Sequence, residues 1–212
     1  MKISYAVPVC NEHIELEKLL SFLLKHIDEN DEIVIQCDKG NTTPEVEKVL
    51  DKADYEFRHQ LKIIEFPLNS HFSNFKNNLK EHCTGDWIFQ IDADELPHES
   101  LIINLKELLK ANLTTEMFLV PRVNTVEGLT QEHINKWRWN VNEKGWVNWP
   151  DYQTRIIQNS PKIKWQNKVY EQIIGISTKG ALPMEEEWCL YHPKNIKKQE
   201  IQNQLYNQIQ NI

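Results

Sequence analysis

The segment Trp87-Ile88-Phe89-Gln90-Ile91-Asp92-Ala93-Asp94-Glu95 passes from an apolar run to three carboxylates within four residues. The apolar part predicts a buried strand with the acids at its end. Because side chains alternate along an extended chain, we expect Asp92 and Asp94 to point to the same side and meet one cation. Carboxylate oxygens suit Mg²⁺ or Mn²⁺ better than zinc. An acidic turn that caps a following helix, residues 99–111, explains the same acids, and the acids alone do not decide between the two interpretations.

Strands and helices alternate on both sides of this run. Leucines at helical spacing follow a first strand, Ile3 to Val9, and predict a helix from Leu16 to Ile27. Further strands are predicted at 32–37, 62–66, 87–91 and 117–123, and further helices at 44–53, 73–83 and 99–111. This order predicts an α/β fold with a mostly parallel sheet flanked by helices.

Polar residues follow three of the predicted strands. They are Asn11, Asp38 and the acids from Asp92 to Glu95. In open parallel sheets, ligands bind beyond the carboxyl ends of the strands. The three strand ends therefore predict one binding site at a common edge of the sheet.

The second half of the chain is built differently. Five of the chain's seven tryptophans crowd into one segment there, at positions 137, 139, 146, 149 and 165. Aromatic rings stack on sugars, so a platform for an acceptor is one interpretation, and the core of a small lobe is the interpretation we favour for most of them. From Asn195 to Ile212, apolar residues at roughly helical spacing predict a terminal amphipathic helix.

Composition narrows the classes of function. The 212 residues fit one domain, and a formal net charge of −7 argues against binding a nucleic-acid polymer. A single nucleotide stays open, because a metal ion supplies the missing positive charge. We find no apolar run long enough to span a membrane and no signal peptide, so we expect a cytoplasmic protein without integral membrane association. The four separated cysteines predict reduced thiols.

Several motifs in order resemble a known family. They are Ala6-Val7-Pro8-Val9-Cys10-Asn11-Glu12, then Phe75-Lys76-Asn77, then the run from Asp86 to Asp94 with its DxD motif. Together they resemble the family-2 glycosyltransferases with the GT-A fold. The later segments 149–157, 168–171 and 190–193 are similar to the branch that includes lipopolysaccharide-core glucosyltransferases.

The resemblance implies a fold and a reaction. It implies a single GT-A (Rossmann-like) domain with a nucleotide-sugar-binding half at 1–123, an acceptor-side half at 124–194 and a C-terminal helix at 195–212. It implies an inverting transfer of a sugar from a nucleotide-diphosphate donor, with UDP-sugars first among the candidates, to a hydroxyl of a carbohydrate or glycoconjugate acceptor. Mn²⁺ or Mg²⁺ is the implied cofactor.

On the donor side, the resemblance implies that Pro8, Asn11 and Glu12 line the nucleotide site. Asp38 would face the base, and a turn aspartate before Lys39 and Gly40 is the alternative. Lys76 would lie near the diphosphate, unless it is a solvated helix lysine.

At the metal, the resemblance implies that Asp92 holds the ribose side and shares the cation, that Asp94 is the principal ligand and that Glu95 supports it. His192 is a candidate further ligand, although a lone histidine before a proline is more often structural.

For the proton transfer, Asp151 matches the family's acid on the acceptor side and is our first candidate for the catalytic base; Glu171 is the second. The alternative for Asp151 is a loop acid that pairs with Arg155, four residues on.

Two other functions stay open at this point. One is a catalytically inactive nucleotide-sugar-binding or scaffold protein with the same fold. The other is a metal-dependent nucleotidyltransferase, which is less favoured because residues 7–12 offer neither a glycine-rich loop nor a cation.

Overall fold

The computed structural model describes residues 1–210, with side chains described through Gln204. The strands are β1 (Ile3–Val9), β2 (Glu32–Asp38), β3 (Leu61–Phe66), β4 (Trp87–Gln90), β5 (Leu96–Pro97), β6 (Met117–Val120), β7 (Arg122–Glu127), β8 (Gln153–Gln158), β9 (Lys164–Gln166), β10 (Gln172–Ile174), β11 (Lys179–Ala181) and β12 (Leu190–Asn195). The helices are α1 (His13–His26), α2 (Pro44–Phe57), α3 (Phe72–Glu81), α4 (Glu99–Ala111), α5 (Gln131–Trp137) and α6 (Ile196–Gln210).

A seven-stranded sheet forms the centre, in the order β11-β6-β8-β4-β1-β2-β3. The pairs β3/β2, β2/β1 and β1/β4 are parallel, and β8 is antiparallel to both β4 and β6. The predicted α/β class with a mostly parallel sheet is therefore confirmed.

The sheet is buried on both faces. Alternate residues of β1, among them Ile3 and Tyr5, pack in the larger core with the leucines of α1 and α4. Ala6, the next residue on the opposite face, packs with Leu79 of α3 in a smaller core. Burial on both faces explains why these strands read as continuous apolar runs.

One predicted strand is two strands in the structure. The expected strand 117–123 is interrupted at Pro121, and β6 stays in the large sheet while β7 enters a second sheet. Proline has no N–H to donate to a ladder, so pairing ends there. Its carbonyl oxygen accepts a hydrogen bond of 2.9 Å from the N–H of Leu190, the first residue of β12.

The second sheet has three strands in the order β5-β12-β7. β5 directly follows the acidic segment, and β12 pairs antiparallel with it and parallel with β7. In this register His192 is opposite Asn124. The small sheet therefore joins the acidic segment to two parts of the chain that are distant in sequence.

The terminal helix was predicted from Asn195 to Ile212, and α6 covers Ile196–Gln210. Residues 211 and 212, and the side chains of Leu205 and Ile209, lie outside the described part. Over residues 1–210, no helix combines the length and the hydropathy that a membrane span requires. All four cysteines are free thiols.

Candidate functional site

The acidic segment turns instead of extending. β4 ends at Gln90, and the N–H of Glu95 donates to the carbonyl oxygen of Asp92 at 2.8 Å, which closes a turn. The expectation that Asp92 and Asp94 point the same way is wrong, because the alternation of side chains holds only in extended chain. The two carboxylates contact different partners.

Asp92 and Glu95 belong to a buried ion-pair cluster with two arginines. Nη2 of Arg155 on β8 lies 2.5 Å from Oδ2 of Asp92 and 2.6 Å from Oε1 of Glu95. Nη1 of Arg122 on β7 lies 3.0 Å from the same oxygen of Glu95, and the N–H of Asp92 donates to its other oxygen at 3.1 Å. The Glu95 side chain has no exposed surface. Both of its oxygens are thus engaged within the protein.

The cluster keeps Asp92 and Arg155 ionised. Burial by itself raises the pKa of Asp92, but the charges of Arg155 and Lys76 outweigh it, and the net pKa is lowered. Burial disfavours the charged form of Arg155, yet Asp92 and Glu95 raise its pKa above the ordinary value. A buried charge needs this kind of compensation to persist.

Asp151 is held by the other end of Arg122. Its Oδ2 accepts hydrogen bonds from Nε and Nη2 of Arg122 at 2.9 and 2.7 Å, and from Nδ2 of Asn124 at 2.7 Å. Its Oδ1 accepts one bond of 3.0 Å, from Gln153. The pairing of Asp151 with Arg155, which was the alternative to a catalytic role, is not formed, since Arg155 contacts Asp92 and Glu95. Burial raises the pKa of Asp151, but Arg122 and Asn124 lower it by more than burial raises it. The net pKa is below the ordinary value, so the group is ionised at neutral pH.

Asp94 lies on the opposite side of the turn with two nitrogen groups. Nε2 of His192 is 3.5 Å from its Oδ2, and Nζ of Lys198 on α6 is 3.2 Å from the same oxygen. Burial favours the neutral form of Asp94, but His192 and Lys198 hold its pKa far below the ordinary range. Burial also lowers the pKa of His192, more than Asp94 raises it. The histidine ring is thus neutral at neutral pH.

The side chains of Asp94 and His192 could hold a divalent cation. His192 Nδ1 lies 2.7 Å from Oδ1 of Asn124, whose Nδ2 donates to Asp151. The other ring nitrogen, Nε2, is the one that faces the carboxylate of Asp94, at 3.5 Å. An imidazole nitrogen and a carboxylate oxygen are both ligands of divalent cations, and at this distance they suit a cation between them. Among the residues with described side chains, no group of three or more His, Cys, Asp or Glu could hold a metal. The protein would therefore supply two ligands, Asp94 and His192.

The loops after β1 and β2 meet at the same edge. Glu12 Oε2 accepts the N–H groups of Cys10 and Asn11, both at 3.0 Å, and the Asn11 residue is exposed. Pro8 is half-buried at the end of β1. Asp38 is buried, with Oδ1 accepting from the N–H of Leu68 at 2.8 Å and Oδ2 from Asn41 at 3.0 Å.

Lys76 and Glu171 form a further pair. Nζ of Lys76 on α3 lies 3.1 Å from Oε1 of Glu171 and 4.6 Å from the ring centre of Trp165. The structure thus joins a residue expected on the donor side to the second candidate for the base. Lys76 also contributes to the field at Asp92.

The tryptophans divide into two groups. Trp165 is buried, as expected for a core residue. Trp137 and Trp139 have ring centres 4.7 Å apart, Trp146 and Trp149 have theirs 4.9 Å apart, and all four rings are half-buried. These two pairs leave aromatic surface exposed in the segment that leads into Asp151.

Sequence reasoning did not single out Arg122, Asn124 or Lys198. The first two share one face of a strand, two residues apart, directly after Pro121. Polar residues at that spacing next to a strand-breaking proline were a usable signal. Lys198 lies on a helix with many polar residues, and nothing in its surroundings in sequence distinguishes it from a solvated lysine.

Comparisons with known proteins identify the family of this chain. The family model described as glycosyl transferase family 2 matches residues 4–172. An uncharacterized glycosyltransferase of Haemophilus influenzae is 31% identical over 81 residues, which are 38% of this chain and 29% of that relative. The chain belongs to glycosyl transferase family 2.

Solved structures show the fold. TarS of S. aureus, residues 1–349, matches with a TM-score of 0.63 at 14% identity, over 99% of this chain and 64% of that 1–349 chain. The same protein in complex with UDP-GlcNAc matches with a TM-score of 0.62 at 15% identity, over 92% and 59% of the two chains. The chain thus spans less than two thirds of these relatives. The GT-A fold expected from the sequence is confirmed.

Proposed function

We propose that this protein transfers a sugar from a nucleotide-diphosphate donor, a UDP-sugar, to a hydroxyl of a carbohydrate or glycoconjugate acceptor, with inversion. The observation that carries the proposal is the arrangement around the turn at Asp92. Asp94, His192 and Lys198 lie on one side of this turn, and Asp151 is held by Arg122 close to the other. The turn follows a central parallel strand, where α/β sheets bind their ligands. The UDP-GlcNAc complex of TarS supports a nucleotide-sugar donor for this fold.

On the donor side, Asp94 and His192 would hold Mn²⁺ or Mg²⁺, and such ions bind proteins through few side chains together with phosphate oxygens. The ion would neutralise the charge that develops on the departing diphosphate. Lys198 adds positive charge beside the same carboxylate. In this proposal the loops that carry Pro8, Asn11, Glu12 and Asp38 bind the nucleoside.

Between the donor and acceptor sides, Asp92 would orient the ribose of the donor. Arg155 holds the Asp92 carboxylate in place. Glu95 would support the turn from within, because both of its oxygens are engaged with the protein. Lys76 would contribute positive charge toward the diphosphate.

On the acceptor side, Asp151 would take the proton of the attacking hydroxyl. Three hydrogen bonds fix Oδ2, whereas Oδ1 accepts only the one from Gln153. Oδ1 is therefore the oxygen that we expect to meet the hydroxyl. As Asp151 takes its proton, the acceptor hydroxyl would attack the anomeric carbon from the side opposite the departing nucleoside diphosphate, and one displacement of this kind inverts that carbon. Glu171 is the second candidate, and its ion pair with Lys76 would have to open first.

The test is a thermal-shift titration with UDP-, GDP-, CMP- and dTDP-sugars, each with and without Mn²⁺. A ligand that binds only the folded state raises its melting temperature. We expect a shift with UDP-sugars that requires the metal. No shift with any nucleotide sugar would contradict the proposed donor.

Two variants sharpen this test. Asp94→Asn removes the charge next to His192 and should weaken Mn²⁺-dependent donor binding at least about 10-fold, about 1.4 kcal/mol. Asp51→Asn, at an exposed position of α2, is the matched control and should bind as the wild type does. Unchanged Mn²⁺ dependence in Asp94→Asn would remove the metal assignment.

A further inference from the structure

Asn124 connects the two sides of the site. It lies on β7 directly opposite His192 in the register of the small sheet, and its carbonyl oxygen accepts the N–H of Val147 at 2.9 Å. Its side-chain amide contacts Asp151 at one end and His192 at the other, both at 2.7 Å.

The orientation of this amide follows from the chemistry of its partners. An ionised carboxylate only accepts hydrogen bonds, so the amide must present Nδ2 to Asp151. The carbonyl oxygen Oδ1 then faces His192, and the ring atom that meets it must be a donor. Nδ1 of His192 therefore carries a hydrogen whether the ring is neutral or charged.

We propose that Asn124 is a positioning residue, whose amide holds His192 as the Nδ1–H tautomer with the Nε2 lone pair directed at the cation position beside Asp94. The inference deepens the proposed function and rests on it for its consequence. A metal-bound histidine commonly donates its other ring N–H to a polar partner, which fixes the orientation of the ring. Here that partner also binds Asp151, so one amide orders the candidate ligand and the candidate base together.

The tautomer is measured directly by NMR. We would label the histidines with ¹⁵N and record long-range ¹H–¹⁵N spectra of the ligand-free protein at pH 8. The His192→Gln variant identifies the His192 signals among the eight histidines by their loss. We expect a protonated Nδ1 and a bare Nε2. Free histidine prefers the other tautomer, so the opposite finding overturns the inference.

Two variants of Asn124 distinguish its hydrogen bond to His192 from its hydrogen bond to Asp151. Asn124→Leu is similar in size and removes both hydrogen bonds, so the tautomer should shift toward Nε2–H. Asn124→Asp keeps an acceptor for His192 but replaces the donor to Asp151 with a negative charge, so the tautomer should be retained. Asn104→Leu, at an exposed position of α4, is the matched control and should leave the His192 signals unchanged.

A second readout is the affinity for Mn²⁺ alone, measured by the loss of the free-ion EPR signal. Asn124→Leu should weaken Mn²⁺ binding about 10-fold or more, the usual effect of removing the partner of a ligating histidine. Unchanged tautomer and Mn²⁺ affinity in a folded Asn124→Leu protein would overturn the inference.

These outcomes are distinct from those of the proposed function. The tautomer of the wild type is read without metal, donor or acceptor, and it holds even where Asn124→Leu does not fold. An Nε2–H tautomer in a protein that binds UDP-sugars would refute the role of Asn124 but not the proposed donor. An Nδ1–H tautomer in a protein that binds no nucleotide sugar would refute the proposed donor but not the role of Asn124.

Discussion

Replacing Arg155 by methionine tests the buried cluster behind the acidic turn. The Arg155 side chain is 4% exposed and is the only described group within 2.6 Å of both Asp92 and Glu95. Methionine fills a similar volume without a charge. The variant therefore leaves two carboxylates with less compensation and disturbs little else.

The expected loss follows from what remains around each carboxylate. Removing one partner of a buried ion pair costs about 3–5 kcal/mol. Glu95 keeps Arg122 at 3.0 Å, and Asp92 is 34% exposed, so water reaches it. Both facts favour the lower end, about 3 kcal/mol, which corresponds to a fall in Tm of roughly 6–12 °C for a protein of this size.

The assay is urea unfolding of the wild type, Arg155→Met, Glu95→Gln and the double variant. Glu95→Gln removes one of the two carboxylates whose compensation Arg155→Met reduces. The loss of stability in the double variant should therefore be smaller than the sum of the two single losses, by about 1 kcal/mol or more. Arg58→Met is the control, since Arg58 is 79% exposed in its pair with Asp54 and should cost under about 0.5 kcal/mol.

A loss below about 1 kcal/mol in Arg155→Met, or single losses that add within about 0.5 kcal/mol, would refute the reasoning. Either result would mean that the acidic turn keeps its shape without this charge.

Three further predictions concern the charges of the site and the fold. Lys198→Met should tighten the binding of Mn²⁺ without nucleotide about 10-fold, because a cation that competes for Asp94 is removed; EPR titration measures this, Lys197→Met is the exposed control, and weaker binding would contradict it. Asp151→Asn should lower kcat by about 10²–10⁴-fold with donor affinity unchanged, as for loss of a general base, and full turnover would shift the role to another group. Glu32 is half-buried, which raises its pKa, but Lys2, Ser4 and Thr84 outweigh this effect and hold the pKa at about 2, below the ordinary 4.5. It therefore stabilises the fold above pH 4.5, by on the order of 1–2 kcal/mol after allowance for screening by water, and this contribution is lost as pH falls toward 2. The stability difference between wild type and Glu32→Gln in urea should shrink over that range, and a difference independent of pH would contradict the assignment.

Much of the fold could be predicted because it depends on local signals. The first strand was predicted at Ile3–Val9 and a helix at 99–111, and both have these bounds in the structure. Apolar runs and helical spacing report burial on two faces or on one, and these strands and helices follow that rule. The break at Pro121 is also a local effect, but an otherwise continuous apolar segment concealed it.

The site was harder to predict because its contacts cross the sequence. The acids after β4 were recognised, yet the turn at Asp92 separates Asp94 from Asp92, and Asp151 pairs with Arg122, 29 residues before it, instead of Arg155. Side chains four residues apart lie next to each other on a helix. Asp151 instead precedes β8 and Arg155 lies on that strand, so their side chains are not neighbours.

Residues near one another in the chain are enough to predict the α/β order, the family resemblance and the position of the acidic motif at a strand end. Which charges meet depends on the folded chain. The register of β7 and β12 sets His192 opposite Asn124, and α6 brings Lys198 to Asp94. Electrostatic and hydrogen-bond energies depend on distances of a few ångströms, and for residues tens of positions apart only the folded chain sets those distances.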